Sequence, residues 1–156
     1  TVTVGAETYT ATSTMPAPVP MDSLFNLTAE IFGEIRHPVI ALVQDPGGEK
    51  NQYRFIATVN GNRRPGSISQ NDDFFNGQGA QIFLQGVGGN VRIGDTITLE
   101  MQCIDGSVYE YFSSFGSSGG GPGGSSAPSN PYTNIAGGAM GYFNACATDV
   151  KTIVIR

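Results

Sequence analysis

Acid–base or nucleophilic chemistry in this chain would have to use its one histidine, His37. A nucleophile–histidine–acid arrangement needs an imidazole within reach of a hydroxyl or thiol. His37 precedes Pro38, which holds it in extended backbone. No serine stands in a nucleophile elbow, the Gly-x-Ser-x-Gly turn that carries a strand into a helix. His37 is therefore expected on the surface or in a loop, and no catalytic residue is assigned.

Metal and redox chemistry fare little better. Asp72, Asp73 and Asp45 are the best candidates for a hard cation, which wants several carboxylate oxygens. The Asp-x-Asp-x-Asp-Gly spacing of a calcium loop is absent, so turn capping is favoured for Asp72 and Asp73. Glu100, Glu110 and Asp105 offer pairs of carboxylates, as any acidic chain does, and carry no glycosidase reading. Cys103 and Cys146 allow one disulfide or two free thiols. Neither has a Cys-x-x-Cys spacing, and one histidine is too few to complete a zinc site. The glycine-rich stretches 86–89 and 119–124 do not lead a strand into a helix as phosphate-binding loops do. No cofactor is expected.

Binding chemistry remains. Tyr109, Tyr111, Phe112 and Phe115 follow helical spacing, which favours packing for Phe112 and Phe115 and leaves Tyr109 as a contact candidate. Phe74, Phe75 and Tyr132 fall in polar, turn-rich segments and are expected to form a contact surface.

The elements that must position these residues are mostly strands. Residues 1–14 set Val2, Val4, Tyr9 and Ala11 among threonines, as a strand pair or one bulged edge strand does. Residues 15–20 carry three prolines and read as an extended segment crossing between sheets or domains. A strand is expected around 24–32, another at 39–44 ending in the turn Asp45-Pro46-Gly47-Gly48, and another at 52–60 closed by Asn60-Gly61. Residues 62–79 read as a long loop anchored by Phe74 and Phe75, and 80–84 as a short strand. Residues 90–103 alternate strictly, with Val91, Ile93, Ile97, Leu99, Met101 and Cys103 inward. Asp105 is placed to cap a helix that Gly116 would stop. Residues 117–126 are almost all glycine and serine and read as a flexible loop, and 151–156 read as a last strand inserted in the sheet. The fold expected is mainly β, an antiparallel β-sandwich of immunoglobulin-like or jelly-roll-like type, with one short α-helix near 105–115. Residues 1–20 are expected to be the last strands of, or a linker from, an upstream β domain, and 21–156 the carboxy-terminal sandwich.

Composition bounds the setting. The chain has 156 residues, and its charged fraction of 13% is well below the roughly 25% of average soluble proteins. A net charge of −5, with eight scattered Lys and Arg, argues against nucleic acid. Abundant Gly and Thr suit an exported β domain. No apolar run approaches the roughly 20 residues of a membrane helix, and no signal peptide opens the chain. A membrane attachment is thus expected only through a lipid anchor upstream of Thr1.

Five blocks, in order, resemble the carboxy-terminal part of the Bacteroidetes surface lipoproteins grouped as domain of unknown function 4249. They are residues 9–23 (YTATSTMPAPVPMDS), 45–48 with 51–55 (DPGG, NQYRF), 71–78 (NDDFFNGQ), 94–105 (GDTITLEMQCID), and 130–135 with 137–143 (NPYTNI, GGAMGYF). The glycine–serine stretch at 117–126 departs from that pattern. The resemblance implies an outer-membrane, cell-surface lipoprotein associated with a TonB-dependent, SusC-like transporter. It also implies O-glycosylation at Asp-Ser/Thr-aliphatic sites, which Asp22-Ser23-Leu24 fits at Ser23. It brings no catalytic residues. The function expected is a non-enzymatic module that binds the transporter or its cargo through loops 62–79 and 116–135. A structural subunit of an outer-membrane assembly or secretion complex is the alternative.

Overall fold

A computed structural model describes residues 1–84, 91–118 and 132–156, with the side chains of 115–118 left aside. The described residues form thirteen short strands and one helix, all strand pairs being antiparallel. The protein is mainly β with sandwich-like packing.

One layer is the sheet β10-β6-β3, built from β3 (Met21–Asn26), β6 (Val39–Gln44) and β10 (Gly79–Phe83). The facing layer runs β13-β11-β7-β8, from β7 (Gln52–Val59), β8 (Asn62–Arg63), β11 (Thr96–Cys103) and β13 (Ala147–Val154), with β9 (Ile68–Asn71) also on β7. Period-two spacing turns one face of each layer inward. Ile97, Leu99, Met101 and Cys103 of β11 and Tyr53, Phe55, Ala57 and Val59 of β7 meet Met21, Val39, Ala41, Val43, Ala80 and Ile82 in one buried cluster. The layers join where β13 lies beside β3. There the Asp149 carboxylate accepts from the Met21 N–H at 2.8 Å, and the Asn26 side chain brackets the backbone of Arg156.

Several expectations are corrected. Residues 62–79 are not one loop: 62–64 and 68–71 both run along the edge of β7, interrupted by Pro65, Gly66 and Ser67. Proline has no ladder donor, so it sits where the edge strand bulges away. The strand expected from residue 90 starts at Thr96, because Asp95 accepts from the Arg92 N–H and Gly94 takes φ +93°, which closes a turn. Ile93 is consequently exposed at 71%, not inward. The last strand begins at Ala147 and lies at the edge of its sheet among the described residues, bonded to β11 alone, rather than inside it. Helix α1 spans Gly106–Ser118 and passes through Gly116 instead of stopping there.

Other expectations hold. Asn60 and Gly61 both take positive φ in the hairpin turn after β7. The amino-terminal residues form the pair β1 (Val2–Val4) and β2 (Glu7–Ala11), and β12 (Ile135–Ala136) adds to β2. Residues 2–4 and 7–11 thus share a sheet with Ile135–Ala136. The proline segment is an extended crossing piece, pinned to the body by Ser13 on Asp105 and by the Val19 N–H on the Cys103 sulfur at 3.4 Å. The glycine–serine stretch at 119–126 lies outside the described residues.

β4 (Ala29–Ile31) and β5 (Glu34–Arg36) are the distal half of one long hairpin whose proximal half is β3 and β6. The register is continuous: Asn26 faces Val39, Leu27 N–H bonds to Pro38 C=O at 3.0 Å, and Ala29 faces Arg36. Beyond Asn26 this arm leaves the sandwich, and its tip is the turn Phe32-Gly33.

Candidate functional site

Three places concentrate side chains that could act on another molecule: the arm tip, the loop that carries Phe74, and a groove around Arg54.

At the arm tip Phe32 is 100% exposed and holds a left-handed φ of +54°, followed by Gly33 at +79°. Two successive positive φ values are what a two-residue hairpin turn requires. A bulky aromatic residue pays about 1–2 kcal/mol for that conformation. Ile31, Ile35 and Leu27 add exposed apolar surface below it. His37 lies in the connection between β5 and β6, one of the two places expected for it, but it is buried there at the arm's base, with its Nδ1 3.2 Å from Thr28 Oγ1 across the hairpin. The sequence reading missed Phe32. Its signal was a residue-glycine pair between two Glu-Ile dipeptides, a hairpin turn flanked by alternating residues.

The Phe74 loop is held by buried carboxylates. Asp72 is buried and accepts from the Asn51 N–H at 2.8 Å, while its carbonyl accepts from the Phe75 N–H. Asp73 instead pairs with Lys50 at 3.1 Å and accepts from Asn71. The two carboxylates therefore diverge, and no group of three potential ligands exists among the described residues. Asp45 is buried as well, taking the Tyr53 hydroxyl and the Gly77 N–H. This frame turns Phe74 out, 90% exposed. Phe75 goes the other way: it is buried and stacks on Tyr53 at 6.3 Å, so it serves the core and not a contact surface. Phe74 precedes β10 at the Gln44 end of β6, whereas the arm leaves from the Val39 end. Phe32 and Phe74 thus lie toward opposite ends of that sheet.

The remaining candidates are scattered. Tyr132 is 46% exposed, and Tyr109 is half-buried on α1. Ser23 lies in β3, half-buried beside a bulge and facing Leu42. Cys103 is a buried free thiol and Cys146 a half-buried one. Burial raises both thiols above their ordinary range, with Asp149 adding at Cys103 and Glu100 at Cys146. Asp105 caps α1 as expected, accepting from the Val108 N–H at 3.0 Å. Burial works to raise its carboxyl, but hydrogen bonds from Ser107, Ser13 and the Val108 and Thr14 amides hold it below the usual range.

The groove lies on the outer face of β7. Arg54 is buried there, with its guanidinium carbon 3.9 Å from the centre of the Phe112 ring and 5.9 Å from that of Tyr142. Its Nε donates to Ser67 Oγ at 3.0 Å and its Nη1 to Gln102 Oε1 at 3.3 Å. Gln102 in turn donates to Glu100 at 2.6 Å, so that carboxylate reaches Arg54 only through an intervening amide. Arg63, Arg64, Pro65, Gly66 and Ser67 complete the wall of an open groove of about 880 Å³. Arg63 and Arg64 fall within the 62–79 segment expected as a loop, but nothing in the sequence brings Arg54 beneath them. That depends on the bulge at 65–67 and on α1 crossing over β7 and β9.

No family model matches the chain, and neither the curated proteins nor the solved structures give a match. The likeness to the surface lipoproteins rests on the five sequence blocks alone.

Proposed function

We propose that this domain is a binding module that docks on a partner protein through the aromatic tip of its β3–β6 arm. The partner, following the resemblance, is an outer-membrane β-barrel of the TonB-dependent, SusC-like class, and the domain sits at the cell surface on a lipid anchor upstream of Thr1. The observation that carries the reading is Phe32, fully exposed and in left-handed backbone. A fold that only needed to close this turn would use Asn or Gly there, at no steric cost. Strained backbone at a protruding aromatic residue is a reason to infer a role. Rigid aromatic anchors are also the side chains that dominate protein interfaces. Ile35 at 64% and Leu27 at 47% exposure would widen the contact.

The test is co-isolation of the full-length protein from native membranes, with and without Phe32→Ser. The wild type should bring down a large β-barrel and the variant should lose most of it. Recovery of the wild type as a solitary monomer, or undiminished capture by the variant, overturns the reading. A captured barrel belonging to assembly or secretion machinery would keep the docking arm and change the process it serves.

A further inference from the structure

We infer that the groove beneath the 65–67 bulge is a binding site for a small organic anion bearing a carboxylate or a phosphate. Three of the eight Lys and Arg of an acidic chain converge on it, Arg54, Arg63 and Arg64. None of the three forms a salt bridge among the described residues, whose ion pairs are Arg36–Glu34 and Lys50–Asp73. Residues 85–90 and 115–131 contain no Asp or Glu, so they cannot supply the missing charge. Asp95 forms no ion pair with Arg64 and instead accepts from the Asn60 side chain and the Arg92 N–H.

Unused donors point the same way. Arg54 spends N–H groups on Ser67 and Gln102, both neutral acceptors, out of the five a guanidinium carries. Arg64 Nε is buried without an acceptor among the described residues. A buried charged side chain whose only acceptors are neutral is costly unless something else meets it. Guanidinium forks match the two oxygens of a carboxylate or phosphate. Phe112 and Pro65 give the groove an apolar wall, which favours an organic anion over a bare ion. Its size falls within the range of about 300–1,000 Å³ usual for small-molecule sites. A bulge in the edge strand turns Arg64 and Ser67 toward this concavity, a device common beside binding sites.

Citrate and phenyl phosphate titrated into the full chain at fixed ionic strength test the site, with sodium chloride as the control. Amide resonances should shift saturably at Arg54, Arg64, Gly66 and Ser67, and the tighter probe identifies carboxylate or phosphate as the preferred group. Arg63→Ala with Arg64→Ala, both on an edge strand, should leave the melting temperature unchanged and weaken binding about tenfold or more. A response no different from chloride, or equal binding by the double variant, overturns the site. Phe32→Ser should bind as the wild type does, which separates this inference from the docking arm.

Discussion

The Arg54 guanidinium rests 3.9 Å from the centre of the Phe112 ring, and this contact ties helix α1 to the outer face of β7. Tyr142 closes the cluster, 4.8 Å from both Tyr111 and Phe112. A desolvated cation–π pair contributes roughly 0.5–2 kcal/mol. A double-mutant cycle with Arg54→Met and Phe112→Leu, followed by urea denaturation, should return a coupling in that range. A coupling near zero would mean that α1 is held by its other contacts, among them Val108, the Asp105 cap and the Tyr111–Tyr142 pair.

Phe32 gives a prediction of opposite sign for stability and binding. Phe32→Asn keeps the hairpin turn and removes the left-handed strain, so the domain should gain about 0.5–1 kcal/mol. Its unfolding midpoint in urea should rise while partner capture falls. A loss of stability would show that the ring packs on the arm and that its exposure is not its role.

How much of this was legible in the residues depends on the range of the interaction. Alternation along 96–103 set both faces of β11 correctly, and Asn60-Gly61 and Asp105 announced a turn and a cap, because those signals are local. Phe74 and Phe75 are adjacent, polar-flanked and alike in sequence, yet one is exposed and the other buried. What separates them is the Asp72 turn and the Tyr53 ring, the latter some twenty residues earlier in the chain, and no local pattern encodes that. Arg54 stands in the strand expected at 52–60, where nothing local marks it for burial. It is buried because α1 and Tyr142, both distant in sequence, cover it.

Gly137 marks where the amino-terminal hairpin is fastened. At φ +105° a Cβ there would lie 2.5 Å from the Thr8 carbonyl oxygen and 3.0 Å from the Tyr9 ring. Gly137→Ala should therefore peel β12 from β2. Amide exchange should quicken at Thr10, Ala11, Ile135 and Ala136, while β7 and β11 stay protected. Uniformly faster exchange would mean that the hairpin is part of the same cooperative unit as the sandwich.

The thiols should differ in reach more than in acidity. Burial raises both, so each is protonated at neutral pH and slow to alkylate. Native protein treated with iodoacetamide at pH 8 should modify Cys146 slowly and Cys103 only after denaturation. Rapid modification of Cys103 would contradict its packing against Val19.

Stability should fall at both ends of the pH scale, through different residues. Asp105 has its folded carboxyl held below the usual range. Its contribution is thus fully present above the unfolded value of about 3.9 and is lost as pH drops below it. The loss should appear first as fraying of α1, since the same carboxylate caps Val108 and pins Ser13. Tyr53 behaves in the opposite sense. Burial, the hydrogen bond to Asp45 and the Asp45 charge push its hydroxyl far above the ordinary tyrosine value. Its contribution is present below about 10 and declines as pH rises beyond that. Urea denaturation followed from pH 3 to 11 should show both limbs. Asp105→Asn should flatten the acid limb, and Tyr53→Phe the alkaline one. The second variant also leaves the buried Asp45 carboxylate with the Gly77 amide as its remaining donor, which should cost about 1–3 kcal/mol at neutral pH. An alkaline limb that survives Tyr53→Phe would assign the high-pH loss to another group and remove the Asp45–Tyr53 bond from the account.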